Sequence, residues 1–599
     1  RLRASNGNIQ IGDFPAEITE LNGDIIISRD NVSSESLFGT FLGNTINFKF
    51  LGPVNDLSSE IMLVGDGQLG IEDIDKEFNT NLNDFLLGDA VYRSVIRLPN
   101  WRSKNPSPFQ ISIETDLIGI ESLLPAPLAK PRFDPSPFTW SIGWPSIDET
   151  AMTGSINDET KWTLNFRKIK DNWSFDRGVI AYGEYPISPN VRGLHIHGRL
   201  PQLVLNDWKF GNLKNKNSLI WDNIRMINIE VEELDIWDRK FSKSIIEADR
   251  SSHDWLVRLR GNELEGSITI PYDFDIGRSI VFDMNKFHLP RRNLNSKLND
   301  ELIIDPSKLP SVNFIANDFS VGGQKFGELE INLEKTEHGL LTSNLKSIDE
   351  SFSIQGTGGW EKNVNNPLKQ TTFLEILMTS SNVQKTAERL GYDPLILGEA
   401  MEIKMDLEWL GAPFNDFSTS LNGNVSVNLS DGRISDVEPG AGRMVGLMNL
   451  AAIPRRLALD FSDVFAEGFG YDMIMGDFKL VDGDAYTCNL TFTGPVADVG
   501  IIGRTGLMER DYDQAAVVST DVGGSLPMAG FLFGGPQAGA ALLIFSQIFQ
   551  KPLKDMGQVF YEVTGLWDDP VVENSNSKKF IDLSSQVGCL DSQNIASSF

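Results

Sequence analysis

Period-two alternation of apolar and charged residues is the feature that most constrains how this chain can fold. Between positions 401 and 409 every odd residue is apolar and every even residue is charged; the apolar set is Met401, Ile403, Met405, Leu407 and Trp409. Successive side chains of a β-strand point to opposite faces, so the segment predicts a strand with one dry face and one wet face. Two further segments repeat the alternation, at Ile227, Ile229 and Val231 and at Leu329, Ile331 and Leu333.

Helical periodicity is rare in the chain. One clear example is Ser381–Leu390, which ends at Gly391. The predicted fold class is therefore mainly β, a long antiparallel sheet with a few short helices placed mostly toward the C-terminus. No repeat of fixed length occurs, which argues against a β-helix or a propeller. Because open sheets of more than ~10 strands usually curl or split, two arrangements remain: several sandwiches, or one curled sheet whose apolar face lines an elongated groove.

The C-terminal third has a different character. Residues 442–453 are apolar on nearly all sides, and residues 522–550 contain no charged side chain. A helix after Pro536 is shorter than the ~30 Å hydrocarbon core of a bilayer, which disfavours a full membrane span. Two hypotheses remain for this region, a helix that caps the sheet or a segment that contacts a membrane or closes the groove end. The residues that would make the second contact are Phe531, Phe533, Leu542, Phe545 and Phe549.

Arg455 and Arg456 follow the first apolar stretch. An arginine pair can bind a phosphate through two parallel hydrogen bonds, which makes them candidates for a lipid head group. Ion pairing with Asp460 and Asp463 is the alternative interpretation of the same residues.

Composition excludes several classes of function. Fifty-three basic and 82 acidic residues give a net charge of −29, which is unfavourable for binding nucleic acid. His195 and His197 share one strand face but have no evident third ligand, so we expect no metal and no cofactor. No P-loop, nucleophile elbow or zinc-protease motif is present, and an enzyme is not expected, although an acidic hydrolase remains an alternative. Cys488 and Cys589 leave the redox compartment open.

An ordered series of short motifs resembles the YhdP family of AsmA-like proteins from Gram-negative bacteria. The series is Leu124–Lys130, Gly193–Leu200, Asp305–Pro310, Arg455–Phe465, Gly534–Pro536 and Gly565–Pro570. The resemblance implies a periplasmic protein anchored in the inner membrane through an N-terminal helix outside this chain, with its C-terminal end near the outer membrane. It implies phospholipids carried between the two membranes along an apolar β-groove, contact with both membranes and with envelope proteins, and no catalytic residues.

The resemblance also suggests a division of the chain. Residues 1–439 would form the elongated β-groove and residues 440–573 an AsmA-like module with apolar helices. The polar composition of residues 574–599 predicts a disordered tail. A second function from another class remains open, because AsmA-like relatives such as TamB are linked to outer-membrane protein assembly. In that hypothesis an open sheet edge would template a client strand.

Overall fold

A computed structural model describes most of the chain between Arg1 and Cys589. The segments outside the described residues are 11–15, 28–31, 53–60, 79, 99–108, 171, 209–222, 275–276, 293–303, 364–365, 367–368, 415–416, 435–468, 496, 522–555 and 590–599. The described residues form two compact units, one from Arg1–Ser267 with Arg292–Asn295, and the other from Ile268–Arg291 with Ser296–Phe599.

Unit 1 contains sixteen complete strands among its described residues, and one short helix, α1 (Ile71–Phe78). The strands are β1 (Leu2–Gln10), β2 (Glu17–Ile27), β3 (Val32–Phe41), β4 (Asn44–Leu51), β5 (Ile61–Gly70), β6 (Leu86–Leu98), β7 (Phe109–Thr115), β8 (Ile120–Ser122), β9 (Phe138–Ser146), β10 (Glu149–Ile156), β11 (Thr160–Ile169), β12 (Asn172–Tyr182), β13 (Gly193–Val204), β14 (Ile224–Ile236), β15 (Arg239–Arg250) and β16 (Asp254–Arg260).

Strand β17 (Leu264–Pro271) spans the division, and unit 2 continues with fourteen strands and two helices, α2 (Val383–Arg389) and α3 (Ser577–Gln586). Its strands are β18 (Ile280–Leu289), β19 (Val312–Val321), β20 (Gln324–Lys335), β21 (Gly339–Ile348), β22 (Phe352–Lys362), β23 (Gln370–Ser380), β24 (Ile396–Leu410), β25 (Asn422–Ile434), β26 (Phe469–Val481), β27 (Asp484–Thr493), β28 (Ala497–Gly506), β29 (Asp511–Asp521), β30 (Met556–Leu566) and β31 (Asp569–Ser575).

Nearly every strand pairs with its neighbour in sequence. In unit 2, β19 to β31 form an uninterrupted antiparallel series. In unit 1, β9 lies beside β7, while the short β8 pairs with the start of β6. The predicted class, mainly β with few helices, is confirmed.

The sheet is mostly antiparallel, as expected, but it contains a minority of parallel pairs. The pairs β12–β13, β13–β14 and β18–β19 are parallel. Their connecting segments, 183–192, 205–223 and 290–311, are long enough to return along the sheet before the next strand begins. The segment 183–192 lies on the polar face of the sheet. Its Glu184 contacts His197 Nδ1 at 3.3 Å and Arg199 Nε at 3.2 Å, and these two residues of β13 point to the face opposite the apolar Ile196.

Each unit has its own apolar core. In unit 1 the largest cluster of buried side chains includes Leu37, Phe48 and Ile111 and runs from β2 to β9. In unit 2 the largest cluster runs from α2 to β30 and includes Ile474, Phe492 and Ile501.

The predicted helix at Ser381–Leu390 is confirmed as α2. Asn382 caps it, because its side-chain oxygen accepts a hydrogen bond from the Lys385 amide at 2.9 Å. Within the described residues, no helix has the length and apolar character needed to cross a membrane. The apolar stretches 442–453 and 522–550 lie outside the described residues.

The predicted disordered tail is wrong for residues 574–589. Strand β31 reaches Ser575, α3 follows, and a disulfide joins Cys589 to Cys488 of β27. The tail is ordered because Phe580, 1% exposed, supplies an apolar anchor. The division between the two units, near residue 267, also differs from the predicted boundary at 439/440, which lies outside the described residues.

Candidate functional site

The candidate site in unit 2 is a line of apolar residues that crosses successive strands in register. Directly paired residues of neighbouring strands point to the same face, so the pairing of β18 to β25 joins their side chains into one row. This central row consists of Phe282, Phe314, Ile331, Leu345, Gly356, Ile376, Met405 and Val425. All eight are half-buried. At ~4.8 Å per strand, the seven steps between them cover about 34 Å.

Two parallel rows flank the central row. One contains Leu329 and Ile403, and the other contains Leu333 and Leu407. The two predicted segments of unit 2 therefore place their residues on one face and in matching rows, although four pairing steps separate them. Ile331 and Met405 both fall on the central row.

The opposite face of β24 is charged and open to solvent. Glu402, Lys404, Asp406 and Glu408 are all exposed, whereas Met401, Ile403, Met405 and Leu407 are half-buried. The predicted alternation is thus present in the strand as one charged face and one apolar face.

Exposure differs among the predicted apolar residues. Trp409, Leu329 and Val231 are buried by the protein itself, at 5%, 8% and 0% exposed. The other eight predicted groove residues are half-buried. Half-burial leaves surface for a ligand, so these eight are better candidates for contact than the three buried ones.

One side of the central row is bounded by two tryptophans. The Trp360 indole donates to Gln370 Oε1 at 2.9 Å and meets the Phe414 ring edge-on, with ring centroids 5.7 Å apart. The Trp409 indole donates to the carbonyl of Ala412 at 3.3 Å. These contacts bury the apolar face at that end of the strands.

The other side is bounded by α2. Val383 packs against Gly398, where an added Cβ would lie 3.0 Å from a Val383 methyl. Arg389 holds the helix to the β21–β22 turn through Asp349, with Nε 2.9 Å from Oδ2. Burial opposes ionisation of Asp349, but the hydrogen bonds from Arg389 and from the Ser351 amide outweigh it, so the pKa of this carboxyl is lowered.

Five phenylalanines form a cluster that the alternation analysis missed. Phe287 meets Phe314 edge-on at 5.0 Å, and the cluster is completed by Phe282, Phe319 and Phe326. All five rings are half-buried. A register shift after Ala316 places Phe319 beside Phe314, which breaks the simple period-two pattern in the sequence.

Unit 1 contains a comparable row. From β4 to β16 its members are Phe48, Gly65, Ser94, Ile113, Trp140, Gly154, Trp162, Ile180, Ile196, Ile227, Ala248 and Val257. The predicted Ile227 is therefore part of it, and Ile229 lies on the adjacent row with Ile246.

The Trp162 indole packs closely against Gly154 in this row. A Cβ added at Gly154 would approach the indole to 2.2 Å, so only glycine fits beneath it.

The predicted head-group and membrane-contact residues belong to segments that the structure does not describe. The residues outside the described part of the chain are Arg455, Arg456, Phe531, Phe533, Leu542, Phe545 and Phe549.

His195 is buried on β13, where burial lowers its pKa, with Arg225 and His197 adding to the effect. Among the described residues, no group of three or more His, Cys, Asp or Glu side chains could hold a metal ion.

The rows have a limited chemistry. The central row presents methyl, methylene, thioether and aromatic groups along a face that the two tryptophans and α2 bound, while acids and bases lie on the opposite face of β24. Such a surface can bind hydrocarbon through dispersion and the hydrophobic effect.

Comparison of the sequence with known proteins identifies a family and a relative. The model of the YhdP protein family matches residues 1–572. The chain is 23% identical over 586 residues to "Intermembrane phospholipid transporter YhdP" from Escherichia coli (strain K12), covering 95% of this chain and 45% of that protein. It therefore spans about half the length of that curated relative. No solved structure matches the chain.

A family match over nearly the whole chain agrees with the ordered motifs and with the mainly β fold. On these grounds the chain belongs to the YhdP family.

Proposed function

We propose that this chain is part of a bridge that carries phospholipids between two membranes, with their acyl chains against the half-buried apolar rows. The observation that carries the proposal is the central row, which is apolar apart from one glycine and half-buried across eight consecutive strands. The name of the E. coli relative supports phospholipid as the cargo.

The energetics favour such a lining. A two-chain phospholipid has about 30 methylenes, and exposing them to water costs roughly 24 kcal/mol at ~0.8 kcal/mol each. A continuous apolar surface removes most of that cost at every step of the path. The head group stays in water, and so needs no polar partner on the apolar face.

The disulfide supports a location in the periplasm. Disulfides such as Cys488–Cys589 persist in oxidising compartments, which include the bacterial periplasm, and are rare in the cytosol. The intermembrane role of the E. coli relative supports the same placement, between an inner and an outer membrane.

Site-specific photo-crosslinking in cells tests the proposal. A photoreactive residue at Met405 probes the central row, and one at Asp406 is the matched control on the opposite face of the same strand. We expect phospholipid adducts at position 405 and none at 406, identified by mass spectrometry. Ile331 and Glu330 repeat the comparison on β20.

A charge-insertion pair gives an independent test. Met405→Asp places a carboxylate on the central row, whereas Leu377→Asp places one on the opposite face of the neighbouring strand, where Leu377 is 36% exposed. We expect Met405→Asp to abolish lipid crosslinking at Ile331 and Leu377→Asp to leave it intact. Protein adducts at both 405 and 406, without lipid, would instead favour the scaffold function in outer-membrane protein assembly.

A further inference from the structure

Helix α3 covers a second apolar surface, on the face of the sheet opposite to the main core. Along β28 and β29, Ile501 and Ala516 belong to the main core, while the adjacent Ile502, Ala515 and Val517 belong to a separate cluster. Because adjacent strand residues point to opposite faces, the separate cluster lies on the reverse face. Phe580 of α3 packs against it.

The helix is held by one fully buried ring, by partly buried contacts of Ile581, Leu583 and Val587 with the same cluster, and by a few polar contacts. Phe580 is 1% exposed and meets the Phe560 ring at 5.7 Å, Lys579 pairs with Glu562, and the Asn576 side chain caps the first turn by accepting from the Lys579 amide at 3.0 Å. A ten-residue helix is marginal on its own in water. Its attachment therefore depends on tertiary contacts and on the chain that follows it.

A disulfide follows closely after α3. Cys589 closes the turn after α3, where its amide donates to the Ser584 carbonyl at 2.8 Å, and it is bonded to Cys488 on β27, 101 residues away in sequence. While the sheet stays folded, the bond and β31 hold both ends of residues 576–588, which restricts the conformations open to a detached helix.

We propose that α3 is a redox latch, which the Cys488–Cys589 disulfide holds over the apolar surface of Ile502, Ala515, Val517 and Phe560, and which opens when that bond is reduced. The reductant is a protein or small molecule with two neighbouring thiols. Opening replaces a covered apolar surface with an exposed one, so the thiol state of the compartment would control what this end of the sheet presents to solvent.

The latch opens by thiol–disulfide exchange. A thiolate of the dithiol attacks the half-buried sulfur of Cys488, because Cys589 is only 8% exposed. The bond between the two cysteines breaks, with its electron pair left on Cys589. The second thiol then displaces Cys488, so the dithiol loses two electrons and two protons and becomes a disulfide, while both cysteines end as thiols.

Hydrogen exchange on the full chain, with and without dithiothreitol, tests the latch. We expect amide exchange in residues 577–587 to rise at least tenfold on reduction, and to return after reoxidation. Cys589→Ser and Cys488→Ser should each reproduce the reduced state without reductant. Helix α2 is the internal control because it is joined to no disulfide, and its exchange should not change.

Two results would overturn the proposal. Unchanged protection of α3 after both thiols are shown by alkylation to be free would mean that Phe580 alone holds the helix. A loss of protection throughout β26–β30 would mean that the disulfide supports the whole sheet and is no latch. Binding of a hydrophobic dye gives a second readout: we expect it to increase on reduction in the wild type, and to be high in Cys589→Ser with or without reductant.

Discussion

Two regions of unit 2 use apolar strands in different ways. In β24 apolar residues alternate with exposed charges, and the apolar side is only half-buried. In β28 all residues from Ala497 to Gly506 except Arg504 are buried, on both faces of the strand. The β28 region, covered by its main core on one face and by α3 on the other, is complete as a folded core. On the apolar face of β24, Met401, Ile403 and Leu407 pack against the main core but stay only half-buried. In the proposed function the surface that they leave open contacts the lipid.

The largest expected effect separates these regions by inserting the same charge in each. Ile501→Asp buries an unpaired carboxylate at a fully buried position and should lower the free energy of unfolding by more than about 4 kcal/mol. Met405→Asp should cost about 1 kcal/mol, because water can reach its half-buried position. Urea unfolding followed by circular dichroism measures both. Equal losses would show that the central row is an ordinary core.

A smaller effect tests whether α2 is a fixed boundary of the central row. Arg389→Gln removes the partner of Asp349, whose side chain is 1% exposed, and leaves a buried charge uncompensated. We expect a loss of about 3 kcal/mol in the free energy of unfolding. Lys385→Gln is the matched control on the same helix, since it removes only an exposed pair with Glu350. Equal, small losses for the two variants would contradict a boundary role for the Asp349 pair.

The junction between the regions can be tested at Gly432. The Tyr471 ring lies above this glycine, where an added Cβ would be 2.4 Å from Cζ and 2.0 Å from the Leu397 carbonyl oxygen. Gly432→Ala should therefore lower the free energy of unfolding by about 2 kcal/mol. Gly470→Ala is the control, because its nearest neighbour would be 4.0 Å away.

Tyr471 also provides a spectroscopic readout for Gly432→Ala. Burial raises the pKa of Tyr471 to about 12, with a contribution from Asp431. A displaced ring should titrate nearer to the ordinary value of about 10 in an ultraviolet pH titration. An unchanged titration in Gly432→Ala would mean that the ring accommodates the extra methyl group.

The smallest expected effect is a pH dependence at α2. The pKa of Asp349 is lowered in the folded state, so its contribution is present above the unfolded pKa of about 3.9 and is lost as the pH falls through the folded value. Asp349→Asn should cost about 1 kcal/mol at pH 7, because the partly exposed Arg389 can reach water, and the difference from wild type should vanish near pH 2. Thermal unfolding across this range measures the effect. A difference that persists at pH 2 would assign the cost to packing.

Alternation in the sequence predicted a strand at each of the three segments that it marked, and these lie in β14, β20 and β24. It placed Ile331 and Met405 correctly on apolar faces, but it contained no information that they share one row, because register depends on the pairings of the intervening strands. The parallel steps were also hidden, since a long loop between two strands is compatible with either direction.

Glycine also occurs inside the strands. The dipeptides Asn22-Gly23 and Asp431-Gly432 have the composition of hairpin turns, yet both lie inside strands, β2 and β25. At Gly432 the absent side chain makes room for Tyr471, a requirement set by a residue 39 positions further along the chain. Likewise, the polar composition after residue 573 suggested disorder. The structure orders this segment by burying Phe580 and by bonding Cys589 to Cys488, and both contacts depend on the folded sheet.

Pairing between sequence neighbours has a consequence for how such a sheet can change its length. In the series from β19 to β31, ladder hydrogen bonds join each strand to its neighbours in sequence. Duplication of a hairpin would therefore add two strands, about 10 Å of every row, and keep the ladder pairing of the other strands. The length of each row can therefore change through small insertions, each of which leaves the other strand pairings in place.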